Sequence, residues 1–206
     1  MRKGFKLSEI KRKKLGRFRK LLIRIGKRLF WWRFSKGNKL LLNSAYIGFY
    51  NLYYKIIKDK KEADEQWFLV GNKAGIKLMS EFSSLIEMMV SKSVKDLVHF
   101  IDTSWLLEMG KNPTSIRYMK DEKGIEKIIW TWDNCVMCTS AKNLLNPQIL
   151  EKNQLGGLTA GAYKSGLETV QELVGYSYLI DVELTKSRSW GDDTCEMTAT
   201  FTPIKR

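Results

Sequence analysis

Apolar side chains recur every third or fourth position between residues 40 and 106, the spacing that places them on one face of an α-helix. The pattern predicts three helices: over residues 40–57, over residues 62–90, and from Ser93 to the stop formed by Gly110 and Pro113. A helical layer is therefore expected in this part of the chain.

Beyond Pro113 the pattern changes to alternation with a period of two, which is typical of half-buried strands. Strands are predicted over residues 115–120 and 125–132 and again over residues 176–185 and 194–202. A helix over residues 149–174 separates the two hairpins. Strands joined by a hairpin pair antiparallel. The predicted fold class is α+β, a helical layer packed on a twisted antiparallel four-stranded sheet in the order ααα-ββ-α-ββ.

A basic amphipathic helix is predicted ahead of this domain. Its apolar residues follow one another at spacings of 3, 4, 3, 4 and 3 and therefore share one face. These residues are Leu15, Phe18, Leu22, Ile25, Leu29 and Trp32. Basic side chains, among them Arg24, Lys27 and Arg28, cover the flanks. We therefore divide the chain into a basic arm over residues 1–39 and a single domain over residues 40–206.

Charge separates the arm from the domain even more clearly. The first 39 residues contain 16 Lys and Arg residues and a single acid, Glu9. The remainder has 20 basic and 21 acidic residues, a net charge of −1. An asymmetry of this size is typical of a segment that contacts a polyanion.

An anionic membrane surface is the polyanion that the arm suits best. The apolar stripe would lie below the lipid headgroups, and the Lys and Arg side chains would reach the phosphates. Three alternatives use the same residues: a helix packed on the domain or on a second copy, a nucleic-acid-binding arm, and an organelle presequence.

The domain itself is expected in a reducing compartment, because three cysteines in 206 residues do not form a disulfide framework. No run of apolar residues is long enough to cross a membrane, and the chain lacks the order of a secretory signal. The expected location is the cytoplasm, peripherally attached to a membrane.

The cysteines are candidate zinc ligands. Cys135 and Cys138 have the spacing of half a zinc site, and Cys195 joins them if the turn before it folds over the end of the first hairpin. Asp133 is the candidate fourth ligand. The alternatives are a redox pair and small buried thiols that only pack.

Evidence for catalysis is sparse in the sequence. The one histidine, His99, stands alone in a helix, and no phosphate-binding glycine loop occurs. Asp181 and Glu183 share a strand face, the minimum for an acid and base pair, although such acids are commonly solvated. The sequence therefore predicts a noncatalytic domain, with an enzyme as the open alternative.

Four segments carry a resemblance to a known family. Residues 132–138 (WDNCVMC), the glycine-rich helix at 161–166, the strand at 181–183 (DVE) and the turn at 191–196 (GDDTCE) resemble the 4-vinyl-reductase domain. That domain is a ligand-binding module of nitric-oxide signalling proteins and is related in fold to the small subunits of the TRAPP tethering complex of Golgi transport. The resemblance covers residues 40–204 and leaves out the arm.

The resemblance implies ligand binding or scaffolding. Members of the superfamily bury an acyl chain or a hydrophobic small molecule between helices and sheet. The expected contacts here are the small residues Gly157, Ala160 and Gly161 with Leu85 and Met89. No cysteine precedes Cys135, so a buried lipid would be held noncovalently. The alternative for the small residues is close packing of the helix on the sheet.

Dimerisation is also implied, because members usually pair through their first helices. Helix 40–57 has more aromatic residues than one face needs, and the excess is expected to contact a second subunit, in a homodimer or with a related subunit. These residues are Tyr46, Phe49, Tyr50, Tyr53 and Tyr54. The predicted function is a noncatalytic ligand-binding or scaffold domain of TRAPP-like type on an anionic membrane. A zinc-containing sensor or enzyme and a nucleic-acid-binding regulator are the alternatives.

Overall fold

A computed structural model describes residues 17–31, 36–81, 86–87, 89–145, 154–175 and 178–204. The helices are α1 Arg17–Trp31, α2 Lys36–Ile56, α3 Lys60–Glu81, α4 Leu97–Met109, α5 Val136–Leu144 and α6 Gly157–Val174. A short 3₁₀ turn, Val94–Asp96, leads directly into α4. The strands are β1 Ser115–Lys120, β2 Glu126–Trp132, β3 Tyr178–Lys186 and β4 Cys195–Pro203.

The four strands form one antiparallel sheet in the order β1-β2-β4-β3. α6 carries the chain from the first hairpin across to the far edge, and β4 then returns to pair with β2. The register places Trp130 opposite Met197, both fully buried. The α+β class and the predicted order of helices and strands are confirmed.

The core lies between the sheet and the helices. Aromatic rings from the helices and the sheet meet there, with Trp105 of α4 4.4 Å from Trp132 of β2 and Trp130 5.2 Å from Tyr163 of α6. Rings of this size bury much apolar area and stabilise the contact further through tilted packing. The interior beside α6 is thus filled largely by indole and phenol side chains.

Two predicted helices differ in extent from those observed. The 62–90 prediction covers α3, but Val90 is no longer helical and the bend at Lys92 precedes the 3₁₀ turn. The 149–174 prediction covers α6, but residues 154–156 form a turn rather than helix. Glycines at positions 156 and 157 explain the later start, because glycine is a weak helix former.

The short helix α5 has no counterpart in the sequence prediction. It begins after Cys135, whose Sγ accepts a hydrogen bond of 3.3 Å from the backbone N–H of Cys138. This is the role that Ser, Thr, Asp or Asn normally fills at a helix N-cap. Because cysteine is not a customary cap, the start of α5 is not visible in the sequence.

None of the helices in the described part of the chain combines the length and apolar character needed to cross a bilayer.

Candidate functional site

Three buried thiols form a compact cluster. Cys135 caps α5, Cys138 lies in its first turn, and Cys195 begins β4, which pairs with β2 at Trp132. The Sγ atoms of all three lie within 4.8 Å of one another, and those of Cys138 and Cys195 are 3.4 Å apart. The predicted grouping of the three cysteines is thus observed, because the end of the first hairpin and the start of β4 are adjacent in the sheet.

Hydrogen bonding within the cluster favours a thiolate at its centre. Donation from the thiols of Cys135 and Cys195 lowers the pKa of Cys138 well below its usual range. The pKa of Cys195 is raised, because its thiol is hydrogen bonded to the sulfur atoms of Cys135 and Cys138. A negatively charged sulfur is the form that binds a metal ion.

The predicted fourth ligand is not in the cluster. Asp133 is exposed, and its carboxylate does not join the three thiols in the metal-binding group found among the described residues. Its backbone carbonyl instead accepts a 2.6 Å hydrogen bond from Arg188 Nη1. The residue beside the thiols is Ser187, whose Oγ lies 3.7 Å from the Sγ of Cys138.

Helix α1 presents its apolar stripe to solvent. Phe18 is 70% exposed, and Leu22 and Ile25 are exposed on the same face. Leu21 beside them is also exposed, as is the basic Arg24. The packing of this stripe on the chain's own domain, one of the alternatives, is therefore not what is observed for these residues.

The opposite face of α1 packs on the domain. Ile23 is only 3% exposed, and α1 packs against α4. Lys20 Nζ forms a 3.0 Å ion pair with Asp96, a buried carboxylate that also accepts a 2.9 Å hydrogen bond from Ser91 Oγ. These contacts fix the rotation of α1 about its axis and so direct the stripe outward.

The other predicted membrane-contact residues lie either within α1 or outside the described residues. Leu15 and Trp32 lie outside the described residues. Lys27, Arg28 and Leu29 lie within α1.

One predicted ligand-contact residue, Gly161, lies in a close contact between α6 and α3. A Cβ atom on Gly161 would come within 2.1 Å of the carbonyl oxygen of Phe68. A Cβ atom on Gly71 of α3 would come within 1.8 Å of the carbonyl oxygen of Leu158. Gly161 therefore lies against the backbone of α3 rather than beside an open space, which agrees with the packing alternative, although the partner is a helix and not the sheet.

The other predicted contacts have different surroundings. Ala160 and Met89 are buried in the core. Gly157 borders an open groove whose other residues include Asp64 and Phe68 of α3. Leu85 lies outside the described residues. Ligand binding at these positions stays a prediction.

Three buried polar atoms in the aromatic core lack a partner among the described residues. They are Nε1 of Trp105, Nε1 of Trp130 and the hydroxyl of Tyr163. The three rings are neighbours, with Tyr163 6.2 Å from Trp105. A buried donor without an acceptor costs about 1–3 kcal/mol, so these three groups lower the stability of an otherwise apolar core.

The tyrosines of α2 do not form the expected outward face. Tyr46, Tyr50 and Tyr53 pack edge-on against Trp67 of α3 at 5.1, 5.4 and 5.5 Å. The expectation that these rings are surplus surface was wrong for Tyr50, which is fully buried. Phe49, which was also expected to face outward, is exposed, and so are the apolar side chains of Leu52 and Ile56.

Comparison with known proteins shows a likeness at the level of the fold. No protein-family model matches the chain, and no curated protein does. Among solved structures, the chain is similar to a trafficking protein particle complex subunit 3 from Naegleria fowleri, determined covalently bound to palmitic acid. The TM-score is 0.65 at 20% sequence identity, over 84% of this chain and 99% of the other. The chain thus has a fold like that of a TRAPP complex subunit.

Proposed function

We propose that the chain is a noncatalytic scaffold subunit of TRAPP-like type, a cytoplasmic protein held on anionic membrane surfaces by α1. The observation that carries the proposal is the orientation of α1, with Phe18, Leu22 and Ile25 exposed while Ile23 faces the domain. A fold like that of a TRAPP subunit supports the scaffold part of the proposal.

Electrostatics support the membrane part. Each Lys or Arg near an anionic surface contributes about 1 kcal/mol, so the 16 basic residues of the arm exceed what attachment needs. The rest of the chain, at a net charge of −1, would not be attracted to such a surface. The exposed stripe adds hydrophobic burial that a soluble polyanion does not offer.

The division into an arm over residues 1–39 and a domain over residues 40–206 is part of the proposal. α2 begins at Lys36, and the ion pair of Lys20 with Asp96 links the arm to the domain. Within the arm, α1 would therefore contact the membrane from a fixed position on the domain.

The first test compares the binding of the chain to lipid vesicles with its binding to nucleic acid. We expect the purified chain to sediment with phosphatidylserine-containing vesicles and to stay in solution with phosphatidylcholine vesicles. We also expect binding to a nucleic acid duplex to be lost at physiological salt while vesicle binding persists, because only the membrane buries the stripe. Stronger, salt-resistant and sequence-dependent binding to DNA or RNA would favour the regulator alternative instead.

A second subunit is the proposed partner of α2, either a second copy or a related chain. Phe49, Leu52 and Ile56 follow one another at spacings of 3 and 4 on one face of α2 and are all exposed. Contiguous exposed apolar side chains of this kind typically mark a protein contact.

Changing Phe49 and Ile56 to Asp is expected to convert a dimer to a monomer in sedimentation velocity, because both charges would be buried at the contact. The matched control is Leu69→Asp and Ile76→Asp on α3, which are also exposed. A dimer that survives the α2 changes, or a wild-type monomer at all concentrations, contradicts this contact.

A noncovalent apolar ligand, as the resemblance to the 4-vinyl-reductase domain implies, is also part of the proposal. The support is the open groove beside Gly157, which Phe68 and Leu69 of α3 line with apolar side chains. Native mass spectrometry of the purified chain measures this directly as a mass above that of the protein.

A metal-stabilised domain is the second candidate function, favoured by the three clustered thiols. Zinc bound by buried cysteines is normally structural, since it links segments that are distant in sequence. Metal bound in this way would join α5 to the start of β4. Zinc content of the purified chain, and a melting temperature that falls with a chelator, test this candidate.

A further inference from the structure

A buried serine hydroxyl lies beside the three sulfur atoms of the thiol cluster. Ser187 is 2% exposed, and its Oγ is 3.7 Å from the Sγ of Cys138. A buried serine hydroxyl is usually paired with a backbone group of its own segment. Here the hydroxyl accepts a 3.3 Å hydrogen bond from the backbone N–H of Ser189 and, in addition, contacts a thiol that is 49 residues away in the chain.

The spacing of these atoms matches a four-coordinate zinc site. With Zn–S distances of about 2.3 Å, two thiolates of a tetrahedral zinc lie about 3.8 Å apart, and a thiolate and an oxygen ligand about 3.5 Å apart. The observed separations are 3.4 Å between the sulfur atoms of Cys138 and Cys195 and 3.7 Å between Cys138 Sγ and Ser187 Oγ. The Sγ of Cys135 lies within 4.8 Å of the other two sulfur atoms. Cys138 is thus at the separation expected of neighbouring ligands from both Cys195 and Ser187.

The loop around Ser187 is already fixed. The backbone N–H of Ser187 donates a 2.8 Å hydrogen bond to Asp192, and the Ser187 hydroxyl is 2.7 Å from that of Ser189. The backbone N–H of Arg188 donates to Cys195 Sγ at 3.3 Å, as that of Cys138 does to Cys135 Sγ. Backbone N–H groups that donate to sulfur orient the side chain and stabilise a thiolate. Metal sites depend on such hydrogen bonds around their ligands.

We infer that Ser187 is the fourth ligand of a zinc-class divalent ion held by Cys135, Cys138 and Cys195, in place of the exposed Asp133. The inference rests on the metal-stabilised candidate function and names the residue that completes it. Zinc accepts oxygen as well as sulfur ligands and polarises a bound hydroxyl as it does a bound water. The site would be closed, which is the arrangement of a structural rather than a catalytic zinc.

The test uses Co²⁺ as the probe, because a four-coordinate Co²⁺ absorbs strongly in the visible and its near-ultraviolet band grows with the number of thiolate ligands. The full-length chain is prepared metal-free under reducing, anaerobic conditions and titrated, and zinc is then added in competition. The variants are Ser187→Cys, Ser187→Ala and, as the matched control, Asp133→Asn.

We expect the wild type to give a four-coordinate spectrum and Ser187→Cys to keep it with a stronger thiolate band. Ser187→Ala should bind the metal about tenfold more weakly or worse, and Asp133→Asn should match the wild type. Equal spectra and affinities for the wild type and both Ser187 variants would overturn the inference while leaving the three-cysteine site intact. A wild type that binds neither Co²⁺ nor zinc would overturn both, and weaker binding by Asp133→Asn alone would restore the aspartate as the ligand.

Discussion

Replacing Gly161 by leucine is expected to destabilise the domain strongly. A Cβ atom at this position lies 2.1 Å from the carbonyl oxygen of Phe68 and 2.8 Å from the backbone nitrogen of Asn72. Both atoms belong to the backbone of α3, so no side chain can move aside and the two helices must separate. Overpacking typically lowers the free energy of unfolding by about 1–3 kcal/mol. A clash with backbone atoms should cost about 3 kcal/mol or more, which corresponds to a fall of about 6–12 °C in Tm.

Gly48→Ala is the matched control for this measurement. Gly48 is exposed within α2, and nothing lies within 4 Å of the Cβ position. Alanine is the better helix former, so this change should raise the free energy of unfolding by about 0.5–1 kcal/mol. Gly161→Leu with unchanged stability and less bound lipid would mean that the small residues of α6 line a ligand space, contrary to the helix contact described above.

Most of the fold could be predicted because its signals are local. The strand pair β1 and β2 follows from alternation with a period of two, and the helices follow from apolar residues at spacings of three and four. α5 could not be predicted, since its N-cap is the sulfur of Cys135 and not a customary capping group. The predicted start of α6 was too early for a similar reason. Gly156 and Gly157 weaken a helix that the apolar periodicity alone would extend.

The site was predictable only where sequence spacing fixes geometry. Cys135 and Cys138 are close because they flank one helical turn, and Cys195 joins them through the β2 and β4 pairing. The choice between Asp133 and Ser187 depends on how the loop before β4 folds, which no periodicity reveals. Likewise, Gly161 was compatible with close packing, but the sequence did not reveal which element approaches it, because helix and sheet contacts both favour small residues.

The second large effect is expected at the exposed stripe of α1. Changing Leu22 and Ile25 to Asp should abolish attachment to anionic vesicles, because it removes two apolar side chains from the embedded face and adds two charges of the wrong sign. Burial of each side chain contributes about 1.5–3 kcal/mol, so affinity should fall by on the order of a hundredfold or more. The fold should be retained, since both side chains are exposed while Ile23 makes the contact with the domain.

The matched control places the same substitution elsewhere on the surface. Leu179 of β3 is 65% exposed and faces away from the helices, as does Asp181 two residues later. Leu179→Asp adds a negative charge to an exposed apolar position without touching α1. It should leave vesicle binding near the wild-type level, apart from a small loss of attraction from the added charge.

The most direct measurement is therefore cosedimentation of the full-length chain with phosphatidylserine-containing vesicles, comparing the wild type, Leu22→Asp with Ile25→Asp, and Leu179→Asp. We expect the wild type and Leu179→Asp to pellet with the vesicles. The α1 double variant should stay in the supernatant with an unchanged Tm. Equal pelleting of the α1 variant and the wild type, or no pelleting of the wild type, would contradict the claim that α1 attaches this chain to membranes.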